Sequence, residues 1–372
     1  MSNKKYPIGI QSFEKIRKDG FIYVDKTALI YQLATTGSYY FLSRPRRFGK
    51  SLLISTLEAY FRGKKELFTG LAMEQLEKEW TVHPVLHLDL NIERYGSIES
   101  LENILNDHLL RWEKEFEVEV TTTSPSLRFA NVIRRACGQT GQRVVILIDE
   151  YDKPLLQSIG NEPVQTELRN ILKPFYGVLK TMDACIQFAF LTGVTKFGKV
   201  SVFSDLNNLD DISMDWRYFD ICGISEKELY ANFEEDIHAL AGQQGETYEK
   251  VCDALKANYD GYHFTPDTPG MYNPFSLLNT FAKNRFGNYW FATGTPTYLV
   301  ELLKQNDYKV NDINGVMVGE EMLAGIDAAD TDPIPVIYQS GYLTIKDYDP
   351  EFSLYTLGYP NKEVEEGFIK FL

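Results

Sequence analysis

The sequence has few of the residues that mark a metal, redox or membrane protein. Its four cysteines are Cys137, Cys185, Cys222 and Cys252, and no two stand within four residues of each other. That spacing excludes a zinc ribbon and a CxxC redox pair, and leaves reduced, buried thiols as the expectation. The five histidines do not cluster. His83 and His87 are four apart, but on a strand that spacing makes no close ligand pair. Positive charge is scarce: 38 Lys and Arg stand against 52 Asp and Glu, a net charge of −14. A whole-surface attraction to nucleic acid or to anionic lipid is therefore not expected. The N-terminal "MSNKKYPIGI" lacks the apolar stretch of a signal peptide, and no run approaches a membrane span. The predicted compartment is the cytoplasm. No repeat or low-complexity tract appears.

What is present is an ordinary globular composition spread over 372 residues, enough for two or three cores. The 23 Tyr and 23 Phe argue for large buried clusters rather than disorder. Apolar runs at 39–43, 83–91, 143–153 and 185–197 read as strands. Helical spacing recurs at 50–63, 97–115, 125–139 and 162–182, the last with Pro174 as an expected kink. Residues 1–38 read as strand or turn followed by a short helix. Strands alternating with helices predict an α/β fold with a parallel sheet and flanking helices over 1–221. From 222 to 330 the pattern is mostly helical, with helices expected at 225–245, to 256, at 274–286 and at 296–305. From 331 to 372 short antiparallel strands are expected, then an amphipathic helix without a C-cap. The chain reads there as if a further domain followed.

The stretch "FLSRPRRFGKSLLISTLEAYF" (41–61) carries the chemistry. A phosphate loop joins a strand to a helix, so that backbone N–H groups curl around phosphate oxygens. Its lysine reaches the β- and γ-phosphates and its Ser/Thr hydroxyl binds Mg²⁺. Gly49, Lys50 and Ser51 give the second half of that pattern. Arg44 stands where the first glycine belongs, so the pattern is incomplete, and a plain glycine turn into a helix would look the same.

A second motif raises the reading. "VVILIDEYD" (144–152) is a buried strand ending in Asp149, placed to hold Mg²⁺, and Glu150, placed to orient water. A polar strand-to-helix turn is the alternative for either acid alone. On "FLTGVTKF" (190–197), Thr192 or Thr195 could sense the γ-phosphate. The candidate nucleotide contacts are thus Arg47, Phe48, Gly49, Lys50, Ser51, Leu52 and Thr192. Lys50 and Glu150 are the candidate catalytic pair, and Ser51 and Asp149 the candidate metal ligands. Arg46 reads equally well as phosphate contact or solvated charge. Asp89 and Asp25 read at least as well as turn caps, beside Lys26 and Thr27. The acidic run 204–215 lacks the central glycine of a calcium loop and reads as a solvated loop.

Six ordered stretches carry a family resemblance: "YVDKTALI" (23–30), "RPRRFGKSLLISTL" (44–57), "ILIDEYDKP" (146–154), "LTGVTKFGKVSVFSDLNNLDDIS" (191–213), "YDGYHF" (259–264) and "YNPFSLLNTF" (272–281). Together they resemble the AAA-ATPase-like family. These are bacterial proteins that usually end in a PD-(D/E)XK nuclease-like domain. In that family the RPRRFGKS form of the loop is normal. The resemblance implies a P-loop ATPase fold, ATP and Mg²⁺ as ligands, and the Walker roles for Lys50, Ser51, Asp149 and Glu150. It implies that the nuclease-like domain's catalytic residues lie beyond residue 372. The expected activity is a slow or partner-dependent ATPase. A non-hydrolysing nucleotide switch and an ATP-regulated nucleic-acid module are the alternatives. No arginine finger is evident; if one exists, a partner subunit is expected to supply it. No guanine reader is evident, so ATP is expected over GTP.

Overall fold

The computed structural model describes residues 4–196, 206, 208–293, 313–325 and 332–371. The helix expected at 296–305 lies outside them. Five strands form a wholly parallel sheet: β1 (Tyr39–Ser43), β2 (Val85–Asp89), β3 (Val144–Asp149), β4 (Ile186–Gly193) and β5 (Asp210–Asp211). Their order is β2-β3-β4-β1-β5. Every residue of β1 and β3 is buried. Helices cover both faces of such a sheet, which is why these strands read as unbroken apolar runs rather than alternating ones.

The covering helices are α1 (Phe13–Asp19), α2 (Thr27–Thr36), α3 (Lys50–Phe61), α4 (Ala72–Leu76), α5 (Ile98–Glu115), α6 (Pro125–Thr140), α7 (Lys153–Gln157) and α8 (Glu162–Thr181). Helix α8 runs on through Pro174. Helix α1 was not expected from the sequence, yet its signals are there. Ser12 caps it by accepting from the Lys15 N–H, and Gly20 ends it in the left-handed conformation. Helices α5 and α6 are joined by a buried fork: the Arg128 guanidinium donates to both carboxylate oxygens of Glu113, each at 2.7 Å.

A second hydrophobic core is built by α9 (Glu226–Gln244), α10 (Tyr248–Tyr259) and α11 (Pro274–Lys283), with Leu229, Phe233, Ile237, Leu255 and Phe281 buried in it. A capping box of Ser225 and Glu228 starts α9. The paired strands β6 (Ile224–Ser225) and β7 (Met271–Tyr272) close its base. The N-terminal segment belongs to this core too, through Tyr6, Ile8, Ile22 and Val24.

The C-terminal region packs back onto the core of the parallel sheet, burying Trp290, Tyr342, Leu357, Val364 and Phe368 there. Its antiparallel sheet has the order β8-β10-β9, from β8 (Val316–Gly319), β9 (Thr344–Asp349) and β10 (Leu354–Gly358). Two expectations need correction. Residues Ile334–Gln339 are a helix, not a strand, because Pro335 suits a first helical turn and the short apolar run is buried all round. The acidic run near 204–215 is not simply a solvated loop. Asp210 and Asp211 form edge strand β5, and the Asp211 carboxylate accepts from the Ser213 N–H and hydroxyl and pairs with Lys196 at 2.9 Å.

Candidate functional site

All five strands run the same way, so β1, β2, β3 and β4 end on one edge of the sheet. Loops at the carboxyl edge of such a sheet are where ligands bind. After β1 the chain turns through residues 44–49 into α3. Arg47 (φ 67°) and Gly49 (φ 101°) are both left-handed there. Gly49 is the cap residue of α3, so the N–H groups of its first turn have no acceptor within the helix. Glu150, just past β3, is also left-handed (φ 54°). Two non-glycine residues held in that region beside each other's loops mark a backbone that the surrounding structure constrains.

Lys50 is almost fully buried and sits inside the loop. Its ammonium donates to the Arg44 carbonyl at 3.1 Å and lies 3.4 Å from Glu150 Oε1. Asp149 is buried behind it, and its Oδ1 has no hydrogen-bond partner. Burial, then the neighbouring Glu150 charge, push the Asp149 carboxyl up to about 6; the Ser51 hydroxyl and Lys50 pull it back. A buried carboxylate oxygen without a donor, with a serine hydroxyl beside it, is the donor set that a hard divalent cation takes. Ser51 and Asp149 therefore fit Mg²⁺.

Lys50, Ser51 and Glu150 open on a cavity of about 340 Å³. Its walls include Arg46, Arg47, Lys50, Ser51, Leu52 and Glu150, so three cations face one carboxylate in a chain whose net charge is −14. Its far wall is Pro274, Phe275 and Leu278 of α11, with residues 7–11 of the N-terminal segment. A smaller apolar cavity of about 100 Å³ shares Gly49 and Leu52 with it, and is walled by Ile22, Val24, Ile224 and Phe233, with Lys26 and Thr56 at its edge.

Not every expected residue reaches the site. The Phe48 side chain is buried against Tyr262 and Phe264, so it lines the smaller apolar cavity and not the phosphate cavity. The Thr192 hydroxyl donates to the Leu42 carbonyl at 2.9 Å, inside the sheet and away from the cavity. Thr195 donates to Asp152 at 2.6 Å. Asp89 caps a turn by accepting from the Asn91 N–H. Asp25 does the same for Thr27, and Lys26 pairs with Glu228 at 2.6 Å. His83 and His87 bond separately, to the Arg143 carbonyl and to Glu58.

Three residues at the site were invisible in the sequence. Trp290 is fully buried, and its indole N–H donates to the Arg46 carbonyl at 3.0 Å. The Trp290 backbone N–H in turn donates to Glu363 at 2.7 Å. Asp152 clamps the end of β4. No local pattern announces Trp290 or Glu363, and Asp152 stands in "VVILIDEYD" with no role drawn for it there.

A family model for predicted AAA-ATPases matches residues 7–203. The chain belongs to that family. The matched span holds strands β1 to β4 of the parallel sheet, the phosphate loop and both acids of β3's end. The chain is also 41% identical over 369 residues to an "Uncharacterized protein in vnfD 5'region" of Azotobacter chroococcum mcd 1, covering 98% of this chain and 69% of that one. Among solved structures it is similar to the Aeropyrum pernix ORC2 protein (ADPNP-ADP complexes), at 9% identity and a TM-score of 0.29, over 100% of this chain and 96% of that one. A superposition this loose bears on neither site nor partner. Among the described residues of this AAA-ATPase family member, no helix is long and apolar enough to cross a membrane.

Glu363 gives the site's surroundings a pH dependence. It is buried, and burial raises its carboxyl to about 7, against the donors Ser276, Phe291 and Trp290. The folded chain thus keeps this proton to a higher pH than the unfolded chain does. The resulting stabilisation is complete below about pH 4.5 and is lost as the pH rises to about 7. The full change is roughly 3 kcal/mol. The urea unfolding free energies at pH 5 and pH 8 should differ less in Glu363→Gln than in the parent, by about 2–3 kcal/mol.

Proposed function

We propose that this chain binds ATP with Mg²⁺ at the phosphate loop and hydrolyses it slowly. The observation that carries the reading is one cavity lined by Lys50, Ser51 and Glu150, with the unpartnered Asp149 Oδ1 buried behind them. The phosphates would lie against the first-turn N–H groups of α3, where the helix dipole favours anions. Lys50 would exchange the carbonyls of Arg44 and Pro45, which it now holds at 3.1 and 3.4 Å, for phosphate oxygens. The base would enter the apolar cavity that shares Gly49 and Leu52 with the phosphate site.

Ser51 and Asp149 would hold Mg²⁺, which supplies charge to the β- and γ-phosphate oxygens. Glu150 accepts the proton of the attacking water and aims its oxygen at the γ-phosphorus. Its left-handed backbone turns the carboxylate back over the loop, 3.4 Å from the Lys50 ammonium. Lys50 meets the charge that grows on the phosphoryl oxygens.

Thermal unfolding with and without Mg·ATP tests this. A ligand at a hundred times its Kd adds about 2.7 kcal/mol. The parent chain should be stabilised by that order and Lys50→Ala should not. A parent chain that melts identically with and without Mg·ATP would remove the proposal.

A further inference from the structure

In phosphoryl transfer an arginine set on the transferring group is worth about 10³ to 10⁵ in rate, and it can stand in the same chain or in another. Arg46 has the placement for this role. It is half-buried in the cavity wall that also presents Lys50, Ser51 and Glu150. Its guanidinium lies 4.8 Å over the Trp290 ring, and Nη2 donates to the Tyr342 hydroxyl at 3.4 Å. Its Nε is buried without a partner. Among the described residues no carboxylate pairs with it. A ring and a hydroxyl therefore hold the guanidinium without neutralising it. The Trp290 indole N–H fixes the same residue from behind, through the Arg46 carbonyl.

The neighbouring arginines are disposed differently. Arg44 is buried and directs its guanidinium to backbone carbonyls. Arg47 is exposed and lies 5.2 Å over Phe275 of α11. Of the three, Arg46 alone combines a place in the wall of the phosphate cavity with partial burial against a ring and a hydroxyl.

We propose that Arg46 supplies, within one chain, the arginine charge for the transferring phosphoryl group, so that turnover needs no arginine from a second subunit. This rests on the ATPase reading above. In the step, the water oxygen bonds to the γ-phosphorus and its proton passes to Glu150. The bond from that phosphorus to the bridging oxygen breaks, and its electron pair leaves on ADP. Nothing is oxidised or reduced. Arg46 meets the charge on the phosphoryl oxygens as they flatten. Its planar fork matches two of them at once, which an ammonium does not.

The test uses the full chain, with Arg46→Gln, Arg46→Lys and Trp290→Phe. Melting is followed with Mg·ATP and with Mg·ADP plus aluminium fluoride, a mimic of the transferring group. Hydrolysis per chain is followed on dilution. Arg46→Gln should keep ATP stabilisation within about twofold in affinity, lose the extra stabilisation by aluminium fluoride, and turn over about 10³-fold more slowly. Arg46→Lys should not restore the rate. Trp290→Phe keeps the ring but loses the indole N–H; it should fall between, still binding ATP. Hydrolysis per chain should be constant on dilution.

A rate per chain that rises with concentration would overturn the proposal, because it signals an arginine from another copy. So would Arg46→Gln that keeps both its rate and its aluminium fluoride complex. A parent chain that binds Mg·ATP without turnover overturns the proposal and leaves nucleotide binding standing. A parent chain that binds neither ligand takes down the ATPase reading itself. If Arg46→Gln does not fold, Arg46→Lys decides.

Discussion

Asp152→Ala should cost the fold about 3–5 kcal/mol, measured as the loss in urea unfolding free energy. Asp152 is wholly buried. Its Oδ2 accepts from the Val194 N–H at 3.1 Å, and from the Thr195 N–H and hydroxyl, each at 2.6 Å. Alanine would strand three donors in a dry interior, each at about 1–3 kcal/mol. The clamp also explains Gly193. A Cβ there would stand 2.3 Å from Asp152 Oδ1 and 2.7 Å from Tyr151. The loop after β3 and the end of β4 are thus one unit, tied again by Tyr151 N–H to the Thr192 carbonyl and Tyr151 hydroxyl to the Thr195 carbonyl. Since Glu150 stands in that loop, Asp152→Ala should weaken turnover as well as stability. A loss under about 1 kcal/mol would mean the clamp is ornamental.

Arg44→Gly should be the second large loss, about 3 kcal/mol or more, although it completes the usual phosphate-loop pattern. The Arg44 guanidinium donates to the carbonyls of Ser43, Ser213 and Tyr218 and stacks 4.0 Å over Phe264. Burial lowers its pKa to about 10, which is still charged at neutral pH. It ties the start of the loop to the segment after β5. Glycine would leave three buried carbonyls and a hole. Arg44 is not left-handed, so glycine relieves no strain there. At Arg47, which is left-handed, glycine should be neutral or stabilising by contrast. If Arg44→Gly unfolds at the parent's urea midpoint, the Arg44 guanidinium does not hold the loop to the segment after β5.

The frame was legible because a strand covered on both faces must be apolar throughout, as in "VVILID" and "YYFLS". Lys50, Ser51 and Glu150 were legible because short motifs at strand ends fix their own neighbours. Thr192 was not, because the direction of its hydroxyl depends on its register with Leu42 on β1, which pairs across 150 residues. Arg44 was misleading for a related reason. A glycine pattern describes the backbone that phosphate needs, whereas Arg44 answers to carbonyls 169 and 174 residues away. The link from Trp290 to Arg46 spans 244 residues and leaves no local trace. Helix α1 was legible from Ser12 and Gly20, and was missed because its single apolar face is short.

The phosphate cavity is floored by one hydrophobic core and roofed by another: the loop and Glu150 come from the first, α11 and residues 7–11 from the second. A nucleotide bound there as proposed would touch both, so its release would pass between these walls. If that passage, and not the bond-breaking step, limits the proposed turnover, the rate at saturating Mg·ATP should fall as glycerol raises the viscosity.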